Sequence, residues 1–280
     1  HEVDLVRAQR VPVDAPWMRR GPHWAKFPAD AMLAAAVRRQ LARRRYDVIH
    51  AHGVEAPLLA LLARLGADRR VPVVYNPRTL VAEELPAHAG RRLRVLGALG
   101  RAVDGVIPRL SDAAVAISAR SRDALLARGQ RNVALIRPGV DPADLVDADA
   151  ERAKQRWELG NRPWVVYTGN TCAHQELHVL MEAVAALEEA GLLLVTGSDL
   201  VALHAVADRC GLPVARRRFV CSRDFKDTKD AIAAGQVFAM PRTVCAGFPI
   251  KLLNVLGLGR PVVACQGSAQ AIQGVVAVND

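Results

Sequence analysis

Residues 245–265, CAGFPIKLLNVLGLGRPVVAC, read as a loop, a helix, a turn and a buried strand. Pro249 fits the first position of the helix, where the missing N–H of proline has no intrahelical partner to lose. Leucines follow at helical spacing, and Gly259 is placed to end the helix. The apolar run VVA at 262–264 is typical of a strand that is buried on both faces. The stretch therefore predicts one helix–strand unit of an alternating α/β fold.

The start of this predicted helix is a candidate anion site. The first amides of a helix have no intrahelical partner, and we expect those of Ile250, Lys251 and Leu252 to point outwards where the macrodipole is positive. The Lys251 side chain adds a full positive charge, and Gly247 lets the backbone come close to a ligand. The alternative from the residues alone is an ordinary core helix whose lysine is solvated.

The segment GFPIKLLN at 247–254, followed by GRPVVA at 259–264, resembles the donor-site motif of family 4 glycosyltransferases. These are retaining enzymes of the B-type (GT-B) fold, and the resemblance is strongest to bacterial members that read GFPIKLLN. Most of the family carries Glu before the Gly and at the eighth position, where this chain has Ala246 and Asn254. The resemblance implies donor-binding roles for Gly247, Phe248, Pro249, Ile250, Lys251, Leu252 and Asn254.

Residues 47–53, DVIHAHG, also resemble this family and predict a strand that ends at a glycine. By strand alternation, His50 and His52 point to the same side. Ligands of α/β sheets gather at the carboxyl ends of strands. The resemblance implies that His52 is an active-site residue beside the transferred sugar, and the alternative is a histidine satisfied in the core.

Two further strand ends are candidate parts of the donor site. The segment YTGN at 167–170 resembles the bacterial subgroup, and Gln175 stands in its Gln position, while His174 and Glu176 replace a flanking Tyr and Gly. The resemblance implies that the donor contacts Gly169, Asn170 and Gln175, although the wider family has cations here. Arg242 follows a predicted strand at 237–240 and is our candidate for a second cation that binds the diphosphate.

The chain of 280 residues is long enough for two domains, each with its own core. Strand–helix alternation on both sides of an acidic segment at 141–160 predicts two facing, doubly wound α/β domains, with ligands between them. We assign 1–145 to an acceptor-side Rossmann-like domain and 146–280 to a nucleotide-sugar-binding one. By comparison with the family, we expect the first βα unit and the C-terminal helices to be missing. The charges of Asp147-Ala148-Asp149 are predicted to be solvated.

The formal charge of +10 is concentrated near the start, where residues 7–45 contain ten Lys or Arg and two Asp or Glu. Such a block favours anionic partners: phosphorylated donors, lipid headgroups or nucleic acid. The aromatic and cationic segment 17–27 and a basic amphipathic helix at 91–101 are typical of a membrane surface, and solvated faces are the alternative. We predict an anionic membrane surface as a partner and no nucleic acid.

The five cysteines are scattered without a CxxC pair, as is typical of reduced thiols in a cytosol. No apolar stretch approaches the roughly 18 residues of a membrane span. We therefore predict a cytoplasmic protein that is peripheral at the inner face of the plasma membrane. His174 and His178 have the spacing of a zinc pair on a helix, but no third ligand is evident.

The chain contains no GxGxxG, P-loop or GxSxG motif, so dehydrogenases, NTPases and hydrolases have no residues to support them. The main hypothesis is a retaining glycosyltransferase that uses a nucleoside-diphosphate sugar and a hydroxyl acceptor, either lipid-linked or a cell-envelope glycan. It needs no metal and no cofactor. The alternative is a non-catalytic relative that binds nucleotide sugars or acts as a scaffold, and a third hypothesis is adhesion to membrane or nucleic acid.

Overall fold

The computed structural model describes residues 26–65, 70–77, 79, 94–243, 248–269 and 275–278. The predicted strand at 2–6, most of the segment 17–27, Ala246 and Gly247 lie outside the described residues. The chain divides into two compact units, 1–137 and 138–280, so the boundary falls earlier than the predicted 145/146. Within the described residues, no helix combines the length and apolar character needed to cross a bilayer.

The described part of the first unit is a parallel sheet with helices between its strands. The strands lie in the order β1-β2-β3-β4. The elements in chain order are α1 (Lys26–Arg43), β1 (Ile49–His52), α2 (Glu55–Ala63), β2 (Val73–Asn76), α3 (Arg94–Leu110), β3 (Ala113–Ala116), α4 (Ala119–Ala127) and β4 (Val133–Leu135). The helix predicted at 91–101 is therefore part of a longer helix, and its first predicted residues lie outside the described ones.

Asp112 joins three parts of the first unit. Its carboxylate accepts hydrogen bonds from the Val73 amide at 2.9 Å, from Arg64 at 2.6 Å and from Arg70 at 2.7 Å. Burial alone would raise the pKa of Asp112, but these hydrogen bonds outweigh it and lower the pKa to about 2. Asp112 therefore stays ionised at neutral pH and fixes the start of β2 beside the end of α3.

The second unit has a six-stranded parallel sheet in the order β10-β9-β8-β5-β6-β7. The elements are α5 (Ala150–Arg156), β5 (Trp164–Thr168), α6 (Leu177–Ala186), β6 (Gly191–Thr196), α7 (Val201–Arg209), β7 (Arg217–Cys221), α8 (Phe225–Ala234), β8 (Val237–Met240), α9 (Ile250–Gly257), β9 (Val262–Cys265), α10 (Gln266–Ala269) and β10 (Val276–Val278). Counted within the unit, this is the Rossmann order 3-2-1-4-5-6, whose topological switch point lies between β5 and β8.

The helix predicted from the 245–265 stretch is confirmed as α9, which begins at Ile250, one residue later than predicted. Gly259 has φ +65°, which a glycine adopts without strain. Its amide donates to Leu256 O at 2.9 Å, and the Arg260 amide donates to Val255 O at 3.1 Å. These two bonds form a Schellman motif, so Gly259 ends the helix as predicted.

The acidic segment at 141–160 is an integral part of the second unit, because buried charged residues of α8 bind it. Asp230 is 3% exposed and accepts two hydrogen bonds from Arg152, each 2.6 Å long, and one from the Asp149 amide at 2.9 Å. Lys229, also buried, pairs with Asp147. The side chains of Asp147 and Asp149 are 60% and 46% exposed, which agrees with the predicted solvated charge, although Asp147 also pairs with Lys229 of α8.

Candidate functional site

The switch point of the second unit places two candidate segments side by side. Because β5 pairs with β8 in parallel, Gly169 and Asn170 after β5 follow the same edge of the sheet as Arg242 after β8. In open parallel sheets, ligands bind in the crevice outside the carboxyl ends of the strands at such a point. The strand order therefore brings Gly169, Asn170 and Arg242 to the switch point, and their contact with a donor stays a prediction.

Lys251 on α9 reaches over the end of β5. Its Nζ lies 3.3 Å from the hydroxyl of Tyr167 and 4.5 Å from the centroid of the Tyr167 ring. Gly169 has φ +137°, and a Cβ at this position would lie 2.7 Å from Lys251 Nζ. The backbone conformation therefore favours a glycine here, and the absence of a Cβ leaves room for the ammonium group in its present position.

Tyr167 is fully buried and connects the parts of this site. Its hydroxyl lies 2.8 Å from the carbonyl oxygen of Asn170 and 3.1 Å from Gln175 Oε1, and its single proton serves one of them at a time. Burial raises the pKa of Tyr167 well above its usual range, the charge of Cys172 acts in the same direction, and Arg242 acts against both. The hydroxyl therefore stays protonated and neutral beside Lys251.

Gln175 has a supporting position, in contrast to its predicted contact with a ligand. It is 4% exposed, its Oε1 accepts from Tyr167, and its Nε2 lies 3.0 Å from His174 Nε2. The side chain is occupied beneath the site, because the turn 173–175 folds it against β5. Asn170, by contrast, is exposed.

His174 and His178, which have the spacing of a zinc pair, do not share a helix. His174 lies in a 3₁₀ turn, whereas His178 lies in α6, and Glu176 between them has φ +52°. The i, i+4 arrangement of two histidines on one continuous helix is therefore absent here. Among the residues that the structure describes, no group of three His, Cys, Asp or Glu could hold a metal ion.

The start of α9 differs from the predicted open helix end. The Ile250 amide donates to Phe248 O at 2.9 Å, and the Leu252 amide donates to Pro249 O at 2.9 Å. Pro249 has φ −78° and ψ 74°, the geometry of an inverse γ-turn, which directs the Phe248 carbonyl at the Ile250 amide. Two of the three amides predicted to be open are thus occupied, so the positive charge of this site comes mainly from the Lys251 side chain.

The side chains of α9 have three different environments. Leu252 is fully buried in the core, Ile250 is 57% exposed and Asn254 is half-buried. The Leu252 side chain therefore packs in the core. Its backbone amide, which was predicted to contact the donor, instead donates to the carbonyl oxygen of Pro249. Asn254 shares the helix with Lys251, and its contact with a donor stays a prediction.

The segment 241–243 after β8 is held by three side chains. Cys265 Sγ donates to Pro241 O at 3.1 Å, and the buried Ser268 donates to Arg242 O at 2.7 Å. Glu176 accepts from the Thr243 amide at 2.6 Å and from the Thr243 hydroxyl at 3.0 Å. The sequence carries one signal of these contacts, the replacement of a glycine by Glu176.

The first unit presents a pair of imidazoles at the end of β1. The ring centroids of His50 and His52 are 4.3 Å apart, which confirms that both point to the same side. Asn76 at the end of β2 lies opposite His52 in the sheet register, and its Nδ2 is 3.4 Å from His50 Nε2. Both histidines are exposed, so the alternative of a histidine satisfied in the core is excluded for His52.

Two protein-family models match this chain. The model described as Glycosyltransferase Family 4 matches residues 1–144, and the model described as Glycosyl transferases group 1 matches residues 162–279. A phosphatidyl-myo-inositol mannosyltransferase of Propionibacterium freudenreichii is 26% identical over 234 residues, which is 82% of this chain and 55% of that protein. The chain thus spans about half the length of this curated relative.

Solved structures share the fold at low sequence identity. Anabaena HepE in complex with UDP is 21% identical with a TM-score of 0.68, covering 88% of this chain and 66% of that one. The same protein in complex with UDP-glucose has 22% identity, a TM-score of 0.69 and coverages of 85% and 64%. Sucrose-phosphate synthase of Thermosynechococcus elongatus has 19% identity, a TM-score of 0.75 and coverages of 91% and 64%.

These neighbours and the two parallel sheets confirm the predicted fold class, an α/β protein of the GT-B type with Rossmann-like domains. Because the first family model matches more than half of the 280 residues, the protein belongs to glycosyltransferase family 4.

Proposed function

We propose that the second unit binds a nucleoside-diphosphate sugar and that the protein transfers the sugar to a hydroxyl acceptor. The observation that carries this proposal is the Lys251 ammonium group, held over Gly169 at the switch point of the sheet. Arg242 follows the neighbouring strand β8 and supplies a second positive charge. Two cations at a Rossmann switch point form a site that suits a diphosphate.

The chemistry of sugar transfer explains why both cations matter. The bond between the anomeric carbon and the diphosphate breaks, an acceptor oxygen takes its place, and the acceptor proton is released. Negative charge grows on the departing diphosphate, and Lys251 and Arg242 stabilise that charge in the transition state. In this proposal the side chains do the neutralisation without a metal or cofactor, and the anomeric configuration is retained.

The donor contacts follow from the remaining candidate residues. Asn254 hydrogen-bonds the ribose hydroxyls, as donor or acceptor, from the same helix that carries Lys251. The exposed Asn170 and the segment at Phe248 contact the diphosphate or sugar. The HepE complexes with UDP and UDP-glucose support this class of donor, since they share the fold of this chain.

The acceptor is proposed to be lipid-linked or a cell-envelope glycan. The mannosyltransferase relative supports this class, because its name places its acceptor on phosphatidyl-myo-inositol. Such an acceptor would bring the protein to the inner face of the plasma membrane, where basic surfaces favour anionic lipids. In this scheme His52 contributes a hydrogen bond to the transferred sugar.

The donor role of Lys251 is tested with UDP and GDP as probes in the full-length protein. We expect Lys251→Ala to weaken binding of the preferred nucleotide by about tenfold or more, because a charged contact to a phosphate is lost. Lys154→Ala is the matched control, since Lys154 is a surface lysine of the same unit that pairs with Glu151. Equal affinities for wild type and Lys251→Ala would refute the proposed site.

The role of His52 is tested by transfer assays with a panel of nucleotide sugars and acceptors. We expect His52→Ala to lower kcat/KM by about tenfold while nucleotide binding is unchanged, because the substitution removes a single hydrogen bond to the sugar. His178→Ala is the control, since His178 is an exposed histidine of the other unit. Wild-type turnover in His52→Ala would refute its assignment.

A second candidate function is nucleotide-sugar binding without catalysis. It is favoured by Ala246 and Asn254, which occupy the positions where most of the family has carboxylates. Asn254 hydrogen-bonds a ribose hydroxyl less strongly than a carboxylate does, and Ala246 cannot replace the other carboxylate. Nucleotide binding by wild type without sugar transfer to any acceptor of the panel would support this function over the first.

A further inference from the structure

We infer that Glu176 is a positioning residue for donor binding, because it ties the connection after β5 to the segment after β8. This inference rests on the proposed function of the same site. The Glu176 carboxylate accepts hydrogen bonds from the Thr243 amide at 2.6 Å and from the Thr243 hydroxyl at 3.0 Å. Thr243 directly follows Arg242, so the contact acts on the segment that carries the second cation.

The backbone conformation of Glu176 indicates that its side chain is needed. Its φ of +52° lies in the left-handed region, which costs a residue with a Cβ free energy that glycine does not pay. The resembling motif has a glycine at this position. Such strain persists where surrounding contacts over-determine it, and the two hydrogen bonds to Thr243 are such contacts.

Glu176 differs from the other residues that hold this segment. Cys265 and Ser268 donate hydrogen bonds to the carbonyl oxygens of Pro241 and Arg242. Both residues come from the β9–α10 region, which follows the 241–243 segment in the chain and lies on the side of β8 away from β5. Glu176 comes from the opposite side of the switch point, between β5 and α6. Its contact therefore sets the separation of the two strand ends across which a diphosphate would lie.

The charge of Glu176 is less important than its shape in this role. A carboxylate near a diphosphate is unfavourable unless its lone pairs are engaged, and here both oxygens accept from Thr243. A glutamine can reproduce the contact, since its oxygen accepts from the Thr243 amide and its nitrogen donates to the hydroxyl. Glu176→Gln therefore removes the negative charge and keeps the hydrogen bonds to Thr243.

The test measures UDP and GDP affinity and melting temperature for a set of variants at Glu176. We expect Glu176→Ala and Glu176→Gly each to weaken nucleotide binding by about tenfold, while Glu176→Gln stays within about threefold of wild type. Glu176→Gly melts at a higher temperature than Glu176→Ala, because glycine accepts the left-handed conformation. Nucleotide affinity is thus equally weak in the Ala and Gly variants while their melting temperatures differ. A merely structural role of Glu176 would instead make affinity follow melting temperature.

Two further measurements complete the test. Thr243→Val removes the hydroxyl contact alone, and we expect it to weaken binding by about threefold and to be non-additive with Glu176→Ala. Amide hydrogen exchange at Thr243 is expected to become faster in Glu176→Ala. Glu182→Ala, an exposed glutamate of α6, is the control for loss of one negative charge and leaves affinity unchanged.

The outcomes separate this inference from the proposed function. If wild type binds neither nucleotide, the proposed function fails and this inference fails with it. If wild type binds and Lys251→Ala does not, but Glu176→Ala binds as wild type does, only the role of Glu176 is overturned. Affinity that falls in proportion to melting temperature across the Ala, Gly and Gln variants also overturns it.

Discussion

Tyr167→Phe tests whether the buried hydroxyl organises the candidate site. The substitution keeps the ring under Lys251 and removes the hydroxyl that contacts Lys251 Nζ at 3.3 Å, Asn170 O at 2.8 Å and Gln175 Oε1 at 3.1 Å. Since Gln175 is 4% exposed, its oxygen finds no water in place of the lost donor. A buried acceptor without a partner costs about 1–3 kcal/mol.

The two expected effects have different sizes. The second unit loses about 1–3 kcal/mol of stability, which lowers its melting temperature by roughly 3–10 °C for a unit of this size. Nucleotide affinity falls by only about three- to tenfold, because the Lys251 ammonium loses one hydrogen bond but keeps the face of the ring. Calorimetry gives the first quantity and titration with UDP and GDP gives the second.

Tyr75→Phe is the matched control for this experiment. Tyr75 is 1% exposed, and burial raises the pKa of its hydroxyl as it does for Tyr167, but it lies in the first unit. We expect it to leave nucleotide affinity unchanged whatever it does to stability. A Tyr167→Phe protein with wild-type melting temperature and wild-type affinity would refute the argument that the hydroxyl supports the site.

Three other predictions follow from the geometry. Gly169→Ala is expected to weaken nucleotide binding by about tenfold, since its Cβ meets Lys251 Nζ. Gly211→Ala is the control, because Gly211 also has a positive φ but has open space around it, and it should leave affinity unchanged. Equal losses of nucleotide affinity in the two variants would contradict this prediction. Asp230→Asn removes a buried charge that pairs with the guanidinium group of Arg152. It should lower the melting temperature, measured by calorimetry, by about 5 °C or more. An unchanged melting temperature would count against the contribution of the Asp230–Arg152 pair to stability. Asp112 has a lowered pKa of about 2, so its contribution to stability is complete above pH ~4 and is lost as the pH falls towards 2. In Asp112→Asn, the free energy of unfolding should therefore lack this loss between pH ~4 and ~2. An acid-unfolding profile identical to that of wild type would disprove the prediction.

Local patterns in the sequence were sufficient for several parts of the fold. Strand β8 has the predicted bounds, and Gly259 ends α9 as predicted, through a Schellman motif. The alternation that puts His50 and His52 on one side is also confirmed. These features depend on residues within a few positions of each other, because backbone conformation and strand pleat are local properties.

The arrangement of the candidate site was decided by the tertiary structure. Lys251 meets Gly169 and Tyr167 because β5 pairs with β8, a neighbour far along the chain that no local periodicity specifies. The same pairing brings Glu176 to Thr243. The order of strands in the sheet is therefore what turns separate motifs into one site.

The tertiary structure also decided which polar groups remain available. Gln175 has the sequence signal of a ligand contact, yet the fold buries it under Tyr167. Asp147 keeps 60% of its side chain exposed, and the fold adds a buried ion-pair partner, Lys229 of α8. Composition and spacing identify groups that can bind, but burial and competing internal partners determine whether they are free to do so, and both depend on residues distant in the chain.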